Sequence, residues 1–192
     1  MSYPKMASAD RIELFKNQLA MIENGNIKEL VVQCLEKAPN YFFYMPASTS
    51  GKHHNENSAG EGGLVRHTKM LCTVAQELFR LEMFNKKVLL DHAIASCILH
   101  DTCKCGRNDN GVKYEFLHPE IAAKFVCEVG DSLGINSLDL KLICDAIYSH
   151  MGQWNIGFDK VSRLPKPSNT QQYFVHLCDY LASRRTVTVA VE

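Results

Sequence analysis

Apolar residues recur at steps of three and four through nearly the whole chain, a period that fits one face of an α-helix and not the alternation of a strand. Ile12, Phe15, Leu19 and Ile22 mark one stripe within residues 9–23. Ile27, Leu30, Val31, Cys34 and Leu35 mark a second within 26–36. The pattern resumes at Leu64, His67, Leu71, Val74, Ala75 and Leu78 and again from about residue 87 to 100, two segments expected to form a helical hairpin. Pro119, a residue favoured in a first helical turn, opens a helix expected to reach about Val129. Residues 137–151 carry a stripe through Leu140, Ile143, Cys144, Ile147 and His150, and residues 170–184 one through Phe174, Leu177, Cys178 and Leu181. The expected fold is all-α, a bundle of about seven helices.

The segment from Pro46 to Gly63 is rich in Ser, Gly and Asn, includes His53 and His54, and reads as a long irregular loop of the kind that often carries function. No internal repeat is visible. The chain of 192 residues is expected to be one domain, with N-terminal helices over 1–45, a core over 46–185 and a tail over 186–192. Within the tail, TVTVAV is strand-like but has no sheet to join, so it either frays or pairs with a second copy in a homo-oligomer.

Lys+Arg and Asp+Glu both number 21, so no overall positive field favours a long polyanion, and long nucleic acid is not the expected partner. Lys160, Arg163 and Lys166 form a local basic stretch that reads as solvated surface. Eight cysteines would suit a disulfide framework, yet MSYPKMASAD has no apolar signal region. The thiols are expected to be reduced and the location cytoplasmic. The aromatic run Tyr41–Met45 stops at Pro46, and no stretch is long and apolar enough for a membrane span. Cys103 and Cys105 form CxC without a second close pair, which argues against structural zinc. Cys34, Cys72, Cys97, Cys144 and Cys178 lie on apolar stripes, where a thiol acts as a small hydrophobe.

His67, His100, His150 and Asp179 lie on or beside the apolar stripes of four different helices. A single histidine in such a place is commonly a hydrogen-bonded core residue. Several imidazoles and carboxylates aimed at one interior are costly unless paired or bound to a cation, and a metal satisfies them together. Inward-facing His and Asp from neighbouring helices are how bundles build metal sites.

The ordered set His67, His100-Asp101, His118, His150 and Asp179 resembles the H…HD…H…H…D signature of HD-domain phosphohydrolases. The resemblance is carried by GGLVRHT at His67, ILHDTCK at His100, LHPE at His118, AIYSHMG at His150 and FVHLCDYLASR at Asp179. It implies a helical HD-type bundle that hydrolyses a phosphate ester, of a nucleotide or of a short or cyclic phosphodiester, with metal-activated water. By that resemblance His67, His100, Asp101 and Asp179 hold one metal, and Asp101 bridges to a second held by His118 and His150. Imidazole mixed with carboxylate suits manganese, iron, nickel, cobalt or zinc better than magnesium. Lys104 occupies the basic position of HDxxK, so Asp101 and Lys104 are the catalytic candidates, and Lys104, Arg66 and His54 the substrate-binding ones. Thr102 and Cys103 depart from the usual small or aliphatic residues there. PASTSGKHHN followed by GGLVRHT is most similar to the HD domain of bacterial three-prime-to-five-prime exoribonucleases, which also carry a nucleic-acid-binding domain. Only about 45 residues precede the match here, so a small nucleotide is favoured over single-strand exonuclease action, with an inactive nucleotide-binding module as a further alternative.

Overall fold

The chain opens with two short helices, α1 (Ser8–Glu13) and α2 (Lys16–Ala20), followed by α3 (Gly25–Lys37) and a tight 3-10 turn over Asn40–Phe43. Then come α4 (Gly63–Phe79), the single turn α5 (Glu82–Asn85), α6 (Leu90–Leu99), α7 (His118–Leu133), α8 (Ser137–Ser149) and α9 (Thr170–Ser183). This is a computed structural model, which describes residues 3–48, 56–108, 114–157, 159–187 and 189. Every regular element among them is helical, and none of these helices is long and apolar enough to cross a membrane.

Side chains that favour caps set several of the starts. Asn24 accepts from the amides of Asn26 and Ile27, Asn136 from Leu138 and Asp139, and Asn169 from Gln172, so α3, α8 and α9 begin with amides that would otherwise lack partners. The start of α4 depends on close approach: a Cβ on Gly63 would lie 2.2 Å from the Ser58 carbonyl oxygen. No larger residue fits there without moving backbone, which accounts for the second glycine of GGLVRHT.

The stripe over residues 9–23 does not make one helix. The Phe15 amide bonds to Ile12 O at 2.9 Å, a tightened turn that separates α1 from α2. Steps of three and four survive such a turn, so the sequence pattern does not register it. The break serves two buried groups. Phe15 stacks on Phe42 with centroids 6.0 Å apart, and Arg11 donates to the carbonyls of Glu36 (2.9 Å) and Ala38 (2.7 Å), closing the C-terminus of α3.

Other boundaries shift by a few residues. Lys87 and Val88 still bond to Phe84 O, so α6 starts at Leu90. Helix α7 passes Val129 and reaches Leu133, where Ile135 N–H closes on Gly130 O at 3.0 Å. In the expected loop from Pro46 to Gly63, residues 49–55 lie outside the described residues. The remainder folds back, with Ala47 N bonded to Ser58 O at 3.0 Å and Leu64 N to Met45 O at 2.8 Å. Of the tail, residues 186, 187 and 189 are described, and Val189 is buried.

Helix α4 packs against α6 and α9, α8 packs against α6, α7 and α9, and α3 closes over α6 and α7. Leu64, Leu71, Ile94, Ile98, Ile143, Ile147 and Phe174 are fully buried between them. Each such side chain contributes about 1.5–3 kcal/mol relative to exposure. The five stripe cysteines are buried as expected. This packing brings one turn of α4, one turn of α9, the C-terminal ends of α6 and α8 and the N-terminal end of α7 to a common point.

Candidate metal centre

His67 projects from the second turn of α4, His100 caps the C-terminus of α6 with Asp101 beside it, His118 opens α7, His150 caps the C-terminus of α8, and Asp179 lies in α9. His67, His100, Asp101, His118 and His150 are each no more than 2 % exposed. The six residues expected from the sequence as metal ligands are therefore brought together in one interior cluster.

Asp101 divides that cluster in two. Its Oδ2 is 3.4 Å from His100 Nε2, while its Oδ1 is 3.0 Å from His118 Nε2 and 3.8 Å from His150 Nε2. His67 Nε2 lies 3.0 Å from Asp179 Oδ1, and the Nε2 atoms of His118 and His150 are 3.3 Å apart. Ligands bound at about 2.0–2.2 Å and set 90–110° apart around one ion are separated by about 2.8–3.6 Å. Four of the five distances fall in that interval. Three triads have ligand atoms all within 4.8 Å of one another: His67, His100 and Asp101; His100, His150 and Asp179; and Asp101, His118 and His150.

The imidazoles are prepared in the same way at three positions. Nδ1 of His100 donates to Cys97 O (2.8 Å), Nδ1 of His118 to Glu115 O (2.7 Å) and Nδ1 of His150 to Ile147 O (2.7 Å). In each case the acceptor is three residues back in the chain. A ring proton held on Nδ1 leaves the Nε2 lone pair free and aimed inward, as metal ligation requires. His100 Nε2 and Asp101 Oδ1 are buried atoms with no hydrogen bond of good geometry. Such groups are costly alone and are satisfied together by a cation. The donor set thus fits a divalent metal.

The electrostatics agree. Burial opposes ionisation of Asp101, yet the Lys104 ammonium, then His100 and His118, hold its carboxyl well below the usual range. Burial likewise works against Asp179, and the His67 hydrogen bond and the His100 charge outweigh it. For His100 burial is overcome by the Asp101 carboxylate, which raises the imidazole to about 9, so without a metal its Nε2 holds a proton facing Asp101 that a bound metal would displace. His150 is lowered to about 3 by burial and by its neighbours His100 and His118. His67 is lowered by burial against the pull of Asp179. Two carboxylates therefore stay charged, while His67 and His150 stay neutral and able to ligate.

The expected substrate-binding residues fare differently. Lys104 Nζ bonds to Asp101 Oδ2, and its side chain is 14 % exposed. Asp179, at 23 %, is the most exposed of the six clustered residues. Arg66 is engaged elsewhere, its guanidinium donating to the carbonyls of Asn57 (2.6 Å), Glu61 (2.8 Å) and Ala59 (2.6 Å). With three donors on backbone carbonyls, it clamps the entry to α4. His54 lies outside the described residues, as does His53. His92 pairs with Asp139 at 2.8 Å, in keeping with a structural part. Thr102 fits despite its unusual type, because its hydroxyl donates to Leu99 O at 2.8 Å at the end of α6.

Sequence reasoning missed two residues. The Tyr41 hydroxyl donates to Gly106 O and accepts from Cys105 N–H (3.0 Å), tying the Lys104 loop to the first 3-10 turn. Its one signal was membership of the aromatic run before Pro46. Tyr114 is 39 % exposed, with its ring 5.4 Å from that of His118. Burial, then the Asp101, Glu115 and Asp179 carboxylates, push its phenol up to about 12, so it remains a hydrogen-bond donor.

A family model described as HD domain matches residues 64–184. That span includes all six clustered residues and Lys104. No match was found among curated proteins or among solved structures. On a match over more than half of its length, joined to the ligand geometry above, the chain belongs to the HD domain family of metal-dependent phosphohydrolases.

Proposed function

We propose that this protein hydrolyses a phosphate ester of a nucleotide, or of a short or cyclic phosphodiester, using a pair of divalent transition-metal ions. The observation that carries the reading is the split of Asp101, with Oδ2 facing His100 and Oδ1 facing His118 and His150. One carboxylate joins two half-sites, which is what a dimetal centre asks of a bridging group. In this assignment His67, His100, Asp101 and Asp179 form the first half and Asp101, His118 and His150 the second. When bound, the metal pair supplies Lewis acidity toward water and toward the phosphoryl oxygens.

The chain's own residues do the rest. Lys104 holds a partly exposed ammonium beside Asp101, where it can follow charge growing on phosphoryl oxygen. The Tyr114 phenol adds a neutral donor beside His118. Backbone acceptors at Cys97, Glu115 and Ile147 fix the ring orientations before substrate arrives, so little reorganisation is left for the reacting complex.

A nucleotide is favoured over a plain phosphate ester by the aromatic surface next to His150. Trp154, 43 % exposed, stacks on Tyr180 with centroids 5.7 Å apart, and the adjoining His176 donates from Nδ1 to His150 O at 2.7 Å. A Cβ on Gly152 would lie 2.2 Å from the His176 ring, so glycine is what lets this group close on the end of α8. Arg184 lies over both rings, 5.9 Å from the Trp154 centroid and 4.5 Å from that of Tyr180, so the exposed part of Trp154 with this guanidinium is the surface on which a base would stack.

The test is a panel of nucleoside mono-, di- and triphosphates, cyclic nucleotides and short oligonucleotides. Each is assayed with manganese, cobalt, nickel and magnesium for released phosphate or nucleoside. Turnover of a small nucleotide with a transition metal is expected. Stepwise shortening of oligonucleotides with steep salt dependence would move the reading to an exonuclease. Metal and nucleotide binding without turnover would make the chain a binding module.

A further inference from the structure

Helices α7 and α8 form an antiparallel pair in which Cys127 and Cys144 face one another, their Sγ atoms 2.6 Å apart. That separation is well inside van der Waals contact of two sulfurs. Two thiols held in direct contact on facing helices are placed for a disulfide, in which the sulfurs lie 2.03–2.05 Å apart. Of the eight cysteines Cys127 alone is half-buried, the other seven being buried. One member of the pair is therefore reachable from solvent and the other is held beneath it.

We propose that Cys127 and Cys144 are a reversible oxidation site, at which a peroxide converts the two thiols into a disulfide linking α7 to α8. The Cys127 thiolate attacks a peroxide oxygen and becomes a sulfenic acid, releasing one water once protons are counted. The Cys144 sulfur then attacks Cys127 Sγ, expelling the sulfenic oxygen as a second water. In sum two thiols and one hydrogen peroxide give one disulfide and two waters, with two electrons passing from sulfur to peroxide. A small-molecule thiol reverses it by exchange. Cys127, the half-buried member, is the sulfur a peroxide reaches first, and Cys144, held beneath it in contact, is the resolving partner.

The link would close the hairpin that presents His118 and His150. Cys127 is nine residues after His118, and Cys144 is six before His150. At 1.5 Å per residue the bond would sit about 14 Å and 9 Å along the helices from those two ligands. It would cross-link the hairpin without touching the cluster, so the site does not depend on the phosphohydrolase reading.

The full-length reduced protein is treated with hydrogen peroxide, and its intact mass and cysteine-containing peptides are compared before and after. The expected result is loss of two hydrogen atoms, a Cys127–Cys144 linked peptide and six cysteines still open to alkylation after denaturation. A raised thermal midpoint that dithiothreitol reverses is expected with it. Cys127→Ser, at the half-buried position, should remove both the link and the midpoint shift. Oxygen addition without a link, a link through any other cysteine, or eight alkylatable thiols after peroxide would each overturn the proposal. Because the readout is made on the unsubstituted chain, a variant that fails to fold does not shield it.

Discussion

His118 Nε2 and His150 Nε2 face one another across 3.3 Å while each ring gives its Nδ1 proton to a carbonyl three residues back. Two nitrogen lone pairs thus share one small buried space, with Asp101 Oδ1 as the third group around it. Nothing in that arrangement is attractive until a proton or a cation enters it. A metal ion satisfies all three at once, whereas a single proton satisfies one pair and leaves the third atom stranded.

Metal binding should therefore stabilise the fold strongly. The purified chain is expected to carry, or take up, manganese, nickel, cobalt or zinc. A hundredfold excess over the dissociation constant should add about 3 kcal/mol of stability, lost again with a chelator. Elemental analysis and thermal unfolding check this together. A chain with no bound metal and an unmoved midpoint would remove the basis of the proposed function.

The two halves of the centre should come apart under mutation. Asp101→Ala removes the group facing both halves, so activity should fall below about a tenth of wild type while the helical spectrum is retained. His118→Ala touches only the Oδ1 half and should leave one metal per chain instead of two. Two metals surviving in His118→Ala would show that His118 is not a ligand.

How much of this was legible in the sequence varies with the range of the contacts. His67, His150 and Asp179 stood out because a polar residue on an apolar stripe is visible within one turn of helix. His100 stood out in the same way, three after Cys97, whereas Asp101 and His118 needed the resemblance, since neither lies on an apolar stripe. The break between α1 and α2 was invisible because Ile12 and Phe15 keep helical spacing across a tightened turn. The clamp made by Arg66 was hidden because its three carbonyl partners, Asn57, Ala59 and Glu61, lie in an irregular segment whose path no pattern encodes. Tyr41 was beyond reach for a similar reason: its partners are more than sixty residues away.

Tyr41→Phe is the matching experiment. It deletes one hydroxyl and leaves the Cys105 amide and the Gly106 carbonyl without that partner, at a cost of about 1–3 kcal/mol in unfolding free energy. Because those groups belong to the loop that carries Lys104, turnover should fall as well, with metal content unchanged. A variant as stable and as active as wild type would show that the loop holds its shape without Tyr41.

Lys104 decides between two accounts of the centre. Its ammonium bonds to Asp101 Oδ2 and is the leading charge holding that carboxyl ionised against burial. If that is its whole part, Lys104→Ala should cost stability in the metal-free chain and little once metal is bound, because the metal replaces the lost positive charge. If the ammonium also meets the phosphoryl group, the loss persists in the metal-loaded enzyme as a lower kcat. It should then amount to about 2–4 kcal/mol in the barrier, the scale of removing one preorganised donor. A protonated lysine cannot ligate metal, so metal content should match wild type in either account. The second outcome is expected, because the Lys104 ammonium is partly exposed while bonded to Asp101, the carboxylate that faces both halves of the cluster. Rate and metal stoichiometry measured on one preparation separate the cases. Wild-type kcat in the loaded variant would confine Lys104 to neutralising Asp101, and lost metal would mean that the Thr102–Gly106 loop shapes the ligand set.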